Sequence, residues 1–211
     1  MSFLVADFFD PETHIFPELF YDVTYCWDVL DGLDEFFSKY VFRGIRGVVE
    51  EGVILKNSEL IEIREGAIIE SGACLIGPIV IGTGTVIRTG AYVRSKVVIG
   101  NDCVIGHGTE IKSSVLFNRV KACHFAYIGD SIIGNRVNLG AGVKLANMKL
   151  DKQEIFVTTS SGDRMATGRR KMGGVLGDDV SIGCNAVLNP GTFIIKGCSV
   201  LPLSCLSGLI N

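Results

Sequence analysis

Three histidines, His14, His107 and His124, are the side chains of this 211-residue chain whose ordinary pKa lies near neutrality. An imidazole of that kind can take the proton of an attacking amine at physiological pH. His124 stands out because it begins the run 'HFAYIGD', with Tyr127 soon after it, inside a stretch where the regular pattern of the chain slips. The competing reading is a satisfied histidine at the edge of a repeat. A zinc centre needs about three convergent nitrogen or sulfur ligands. Only His107 and His124 lie in the patterned part of the chain, so no metal site is expected.

Two cations form a second candidate group. Arg94 and Lys112 are separated by three full repeats of the pattern, and each directly follows an apolar residue of the repeat, Val93 and Ile111. If three repeats make one coil, the two charges stack one above the other at about the 4.8 Å strand spacing. Two like charges at that distance repel by about 3.5 kcal/mol at an effective dielectric of ~20, less if the side chains splay. A bound anion converts that repulsion into attraction, which points to a phosphate site. Two solvated cations spreading apart is the alternative. The run Arg169, Arg170, Lys171 falls in a long irregular stretch and is either a solvated loop or a coenzyme contact.

The elements that must hold these groups are legible from one period. Apolar residues recur at every sixth position from Ile63 through Ile69, Leu75, Ile81, Ile87, Val93, Ile99, Ile105 and Ile111 to Phe117. Small residues such as Ala67, Ala73, Thr85, Ala91, Cys103 and Thr109 follow four positions later. The period returns as Leu176, Ile182, Leu188, Ile194, Val200 and Leu206. Neither a helix nor an ordinary strand sustains a period of six, whereas a hexapeptide β-helix does. Three hexapeptides make one triangular coil, which predicts about seven to eight stacked coils. The sequence therefore reads as all-β: a parallel β-helix over residues 45–211, preceded by a short helical segment over 1–44. Within that segment Trp27, Leu30, Leu33, Phe36 and Phe37 have helical spacing and predict a helix over roughly 24–40. The period breaks between Phe117 and Ile133 and again in a long loop over 148–174; such irregularities in a regular solenoid point to a binding site, with simple evolutionary drift as the alternative.

Composition narrows the partners. A net charge of −3 gives no electrostatic footprint for nucleic acid, and no apolar run reaches the ~20 residues of a membrane span. The start of the chain lacks the basic and apolar stretches of a secretory signal. Seven scattered cysteines with no C-x-x-C pair suit a reducing cytoplasm. A small molecule or another protein is the expected partner.

The stretch 'KACHFAYIGDSIIGNRVNLGAGVKLANMKLD' resembles the acetyltransferase domain of the bifunctional glucosamine-1-phosphate acetyltransferase/N-acetylglucosamine-1-phosphate uridyltransferase family. 'GRRKMGGVLGDDVSIGCNAVLNPGT' is similar to the archaeal-type sugar-1-phosphate nucleotidylyltransferase/acetyltransferases. The resemblance is strong over about 94–205. It implies a left-handed β-helix, a homotrimer with sites shared between subunits, and acetyl-CoA as co-substrate. It also implies roles. His124 matches the general base, and Asn147 the asparagine that orients amine and acyl group. Arg94, Lys112, Tyr127 and Asn138 match sugar-phosphate contacts. Ala141, Cys184 and Pro202 match the coenzyme groove, which Arg169, Arg170 and Lys171 would flank. Cys123, Val143, Lys144 and Met148 depart from the family pattern and bear on which sugar is used. No Gly-rich pyrophosphorylase loop is present in these residues, so they are not expected to make the UDP bond alone; whether a separate uridyltransferase is a partner stays open at this stage. Two functions stay open at this stage: acetyl transfer to an amino-sugar phosphate such as glucosamine-1-phosphate, and a non-catalytic trimeric scaffold or sugar-nucleotide binder.

Overall fold

The computed structural model describes residues 3–159 and 161–211. Met1, Ser2 and Ser160, which belong to the N-terminal segment and the long loop, lie outside the described residues. Three parallel sheets of eight strands each wrap the chain into eight coils. Face 1 runs from Val48–Val49 to Ser199–Val200, face 2 from Ile54–Lys56 to Cys205–Leu206, and face 3 from Ile61–Ile63 to Leu209–Ile210. The six-residue period is the length of one side of the triangle. Ile69, Leu75, Ile81, Ile87, Val93, Ile99, Ile105 and Ile111 all point inward with no exposure, and the small residues four positions on fill the space between them.

Only small residues fit at the tightest corners. A Cβ on Gly100 would lie 2.5 Å from the Phe117 carbonyl oxygen of the next coil. This explains the repeated Ile-Gly step better than turn propensity alone does.

The slip after Ile111 is the loss of one residue per coil. Ile99 pairs with Leu116, Ile105 with Ala122 and Ile111 with Ile128, each pairing one residue short of three full hexapeptides. The expectation that Phe117 continues the inward series is therefore corrected: Leu116 takes the inward place and Phe117 turns outward. The missing residue is absorbed at the corner leading to face 3, where Ser113 adopts a left-handed φ of 45°. The next coil repeats the shortening, with Asp130 at the equivalent corner and φ 48°.

Face 3 is covered. Its outward residues Val80, Val98, Val115, Ile132, Val175 and Phe193 are apolar and buried beneath the N-terminal segment. That segment runs the length of the face more than once. Phe3, Phe8 and Trp27 pack on Phe193 at ring separations of 4.6, 5.6 and 5.7 Å. Thr13 receives hydrogen bonds from the side-chain amides of Asn118 and Asn135, on its carbonyl and hydroxyl respectively. Tyr40 donates to the fully buried Glu62 of the first coils at 2.9 Å. Each buried aromatic contributes about 1.5–3 kcal/mol relative to exposure, so the segment is held firmly.

A single turn of helix forms at Val5–Phe8, and the helix expected over 24–40 is Val29–Lys39, shorter than predicted. Ahead of it the Asp28 carboxylate accepts from the backbone N–H groups of Thr24 and Tyr25, and this bends Cys26–Asp28 into a 3₁₀ turn. Leu30, Leu33 and Phe37 face the solenoid, as the spacing predicts. No described helix is long and apolar enough to cross a membrane.

Candidate functional site

His124 ends the face 1 strand Lys121–His124 and sits at the corner between faces 1 and 2. It is registered on His107 of the preceding coil. The alignment continues upward: Ala122 pairs with Leu139, Leu139 with Ile182, and Ile182 with Val200. Just beyond each of these come His124, Ala141, Cys184 and Pro202, which therefore form one column along the same corner. His124, Cys184 and Pro202 are exposed, and Ala141 is half-buried. Among the described residues, neither ring nitrogen of His124 has a hydrogen-bond partner, whereas Nδ1 of His107 lies 3.0 Å from the Thr89 carbonyl oxygen. Beside His124 the backbone is pinned by Lys144, whose Nζ donates to the carbonyls of Phe125 and Gly142 at 2.8 Å each.

Face 2 carries a polar cluster one short strand away. Val93 pairs with Ile111, so Arg94 and Lys112 do stack as their spacing predicts. Each, however, has a carboxylate. Arg94 donates to Glu110 at 2.8 Å, and the Lys112 ammonium lies 3.0 Å from Asp130 Oδ2. The hydrogen bond to Glu110 raises the Arg94 pKa despite some burial. The like-charge repulsion anticipated from the sequence is thus relieved within the chain. Lys112 and Asp130 are well enclosed, with side chains 16% and 8% exposed; Arg94 is open at 45%. Asn147 joins the cluster, donating from Nδ2 to Asp130 Oδ2 at 2.5 Å and accepting the Tyr127 hydroxyl on Oδ1 at 3.3 Å. Burial, then the charges of Glu110 and Asp130, push the Tyr127 phenol up, so it remains a donor.

The structure thus brings together Arg94, Lys112, Tyr127 and Asn147 on face 2. Asn138 is on face 1, registered with Lys121 and Ser181, and one chain does not bring it to that cluster. The basic run divides. Arg169 pairs with Asp31 of the N-terminal helix, Arg170 Nε donates to the Lys152 carbonyl at 3.0 Å, and Lys171 is exposed. The loop that holds them contains an antiparallel hairpin, Phe156–Thr158 with Arg164–Ala166. It returns to the solenoid beside the cluster, where the Met172 and Gly173 N–H groups donate to the carbonyls of Asn147 and Asp130.

Glu110 and Asp130 are the residues that sequence reasoning missed. The signal was partly available: Asp130 directly follows Gly129, the coil partner of Lys112, and lies one 17-residue coil before Asn147.

Chemically, the arrangement offers an exposed imidazole with free nitrogens, a fixed carboxamide, a phenol donor and two cations. That set can accept a proton, orient an amine or carbonyl, and hold an anion. No residue among them is placed as a covalent nucleophile.

A bifunctional sugar-1-phosphate nucleotidylyltransferase/acetyltransferase of Sulfurisphaera tokodaii is 36% identical over 173 residues, covering 82% of this chain and 42% of that protein. The bifunctional protein GlmU of Methanococcus maripaludis is 36% identical over 185 residues, covering 88% of this chain and 44% of that protein. The chain spans less than half the length of these relatives. Among solved structures, an Arabidopsis UDP-N-acetylglucosamine acyltransferase aligns with a TM-score of 0.45 at 14% identity, covering 81% of this chain and 68% of that chain. The GMPPB C-terminal domain family matches residues 75–207, the coils that carry the face 2 cluster, the His124 column and the long loop, and the chain belongs to that family.

Proposed function

We propose that this chain transfers the acetyl group of acetyl-CoA to the amine of an amino-sugar phosphate, with glucosamine-1-phosphate as the substrate. The observation that carries this reading is the convergence of Lys112, Tyr127, Asn147 and Arg94 on face 2, one corner from the unpartnered ring of His124. The acetyltransferases among its relatives support the reaction class.

The amine nitrogen attacks the thioester carbonyl carbon, forming the C–N bond. His124 accepts the amine proton as the tetrahedral centre develops. Asn147 and backbone N–H groups steady the oxyanion. Collapse breaks the C–S bond, and the thiolate takes a proton to leave as free coenzyme thiol. Lys112 and Arg94 hold the sugar phosphate, while Ala141, Cys184 and Pro202 line the coenzyme's path along the column.

The working unit is a homotrimer. Because face 3 is covered by the chain's own N-terminal segment, each subunit has two free faces. Face 1 of one copy against face 2 of the next closes a three-fold ring through a heterologous interface. This pairing carries Asn138 of one subunit toward the face 2 cluster of its neighbour.

Thiol release from acetyl-CoA, measured with glucosamine-1-phosphate and a panel of other amino-sugar phosphates, tests the proposal. Turnover with glucosamine-1-phosphate and little with unphosphorylated glucosamine is the expected result. No thiol release with any of these would leave the scaffold reading in its place.

A further inference from the structure

We infer that Asp130 is a positioning residue that fixes, through one carboxylate oxygen, both the orientation of the Asn147 carboxamide and the place of the Lys112 ammonium. The inference rests on the acetyl transfer proposed above. Asp130 Oδ2 lies 3.0 Å from Lys112 Nζ and 2.5 Å from Asn147 Nδ2. An ionised carboxylate only accepts hydrogen bonds, so the nitrogen side of the Asn147 amide must face it. The oxygen side is thereby turned to the Tyr127 hydroxyl and toward the open face of the cluster. Without Asp130 nothing in the site distinguishes the two ends of that amide, since a hydroxyl can both donate and accept.

The arrangement leaves defined capacity for substrate. One Nδ2 proton of Asn147 is committed to Asp130 and the other is free for an acyl oxygen. Oδ1 retains a lone pair for an amine N–H. Lys112 spends one of three protons on Asp130 and keeps two for a phosphate.

Asp130 is itself held from both sides. Its N–H donates to the Lys112 carbonyl at 3.0 Å, and its carbonyl accepts from Gly173 N–H at 2.8 Å. Asn147 is held in the same way, its carbonyl accepting from Met172 N–H at 2.9 Å. The end of the long loop therefore clamps both partners, and the left-handed corner of the shortened coil aims the carboxylate between them.

Asp130→Asn keeps the shape and removes the acceptor-only character. In that variant the Asn147 amide can flip, while Lys112 loses a negative neighbour and attracts phosphate at least as well. The expected signature is a fall in kcat of about 10²-fold, the usual consequence of a reacting group displaced by ~1 Å, with a KM and a calorimetric Kd for glucosamine-1-phosphate that are unchanged or lower. A loss of packing alone would instead lower the melting temperature and weaken sugar-phosphate binding together.

The double variant Asp130→Asn/Asn147→Ala decides whether Asp130 works through Asn147. Against an Asn147→Ala background, Asp130→Asn should lower kcat little further, because residues acting as one unit are not additive. Wild-type kcat in Asp130→Asn overturns the inference, as does a full further loss on the Asn147→Ala background. A wild-type chain that moves no acetyl group overturns the proposed function and the positioning role together.

Discussion

His124 and His107 stand one above the other in adjacent coils, which makes them a matched pair. His107 is tied to the Thr89 carbonyl and His124 is not, so losing the His107 ring should disturb the solenoid at least as much, and a larger loss of turnover at His124 isolates chemistry. His124→Ala is expected to lower kcat by about 10²–10⁴-fold, and His107→Ala far less, with acetyl-CoA binding retained in both. Thiol-release kinetics with binding calorimetry check this. The cations separate in the same way. Arg94→Ala and Lys112→Ala should each weaken the phosphorylated sugar by about 1.5–3 kcal/mol and leave unphosphorylated glucosamine almost unaffected; equal losses on both sugars would remove phosphate from their role. His14 belongs to a different part of the molecule. It is buried among Phe16, Phe20 and Phe117, its Nε2 has no hydrogen-bond partner among the described residues, and burial lowers its pKa from 6.5 to about 4 against hydrogen bonds that raise it. Below pH 6.5 the unfolded chain takes up a proton on this ring that the folded chain resists until near pH 4. The contribution of the neutral ring is therefore full above pH 6.5 and is lost as pH falls toward 4, by up to about 3 kcal/mol. His14→Leu should flatten the stability–pH profile in that window, as followed by thermal melts.

At the scale of elements, the return of the long loop is the most sensitive point. A Cβ on Gly173 would lie 2.3 Å from both the Gly129 carbonyl oxygen and Ser131 Oγ. Gly173→Ala should force the loop off the coil, lowering stability by about 1–3 kcal/mol and lowering kcat through Asp130 and Asn147. Melting curves and kinetics on the same preparation measure both. The solenoid was legible in the sequence because one side of the triangle holds one hexapeptide and its inward position tolerates only apolar side chains. The slip was visible but not its form, since Leu116 and Phe117 are both apolar and composition does not say which turns inward. The cover on face 3 was also written in the sequence, as apolar doublets on one side in three: Val80-Ile81, Val98-Ile99, Val115-Leu116, Ile132-Ile133, Val175-Leu176, Phe193-Ile194. The corresponding outward positions on face 2 read Cys74, Tyr92, Glu110, Tyr127, Lys144 and Val187, a mixed series with charged residues in it. In the candidate site, the stacking of Arg94 and Lys112 followed from arithmetic. Asp130 did not emerge because an acid at a corner looks like turn chemistry until its coil neighbours are known. The split of Arg169 from Arg170 and Lys171 depends on Asp31, far earlier in the chain, which no local pattern reveals.

For the whole molecule, two free faces and one covered face favour a closed ring over an open stack of copies. Light scattering of the native protein is expected to give three times the monomer mass of 22.7 kDa; a monomer mass at assay concentrations would count against the ring. A solenoid ordinarily transmits stability only between neighbouring repeats. Here the N-terminal segment ties the first coil to the seventh of eight: Tyr40 bonds to Glu62, while Phe3 packs on Phe193 and the Ala6 carbonyl accepts from Lys196 just beyond it. During synthesis the coils can stack as they emerge from the ribosome, since each needs only the coil before it. The aromatic segment made first has no completed surface to rest on until residues beyond Phe193 have been added. It must therefore wait, apolar and uncovered, while the coils beneath it are made, and a segment that precedes the solenoid in sequence is among the last parts of this domain to find its place.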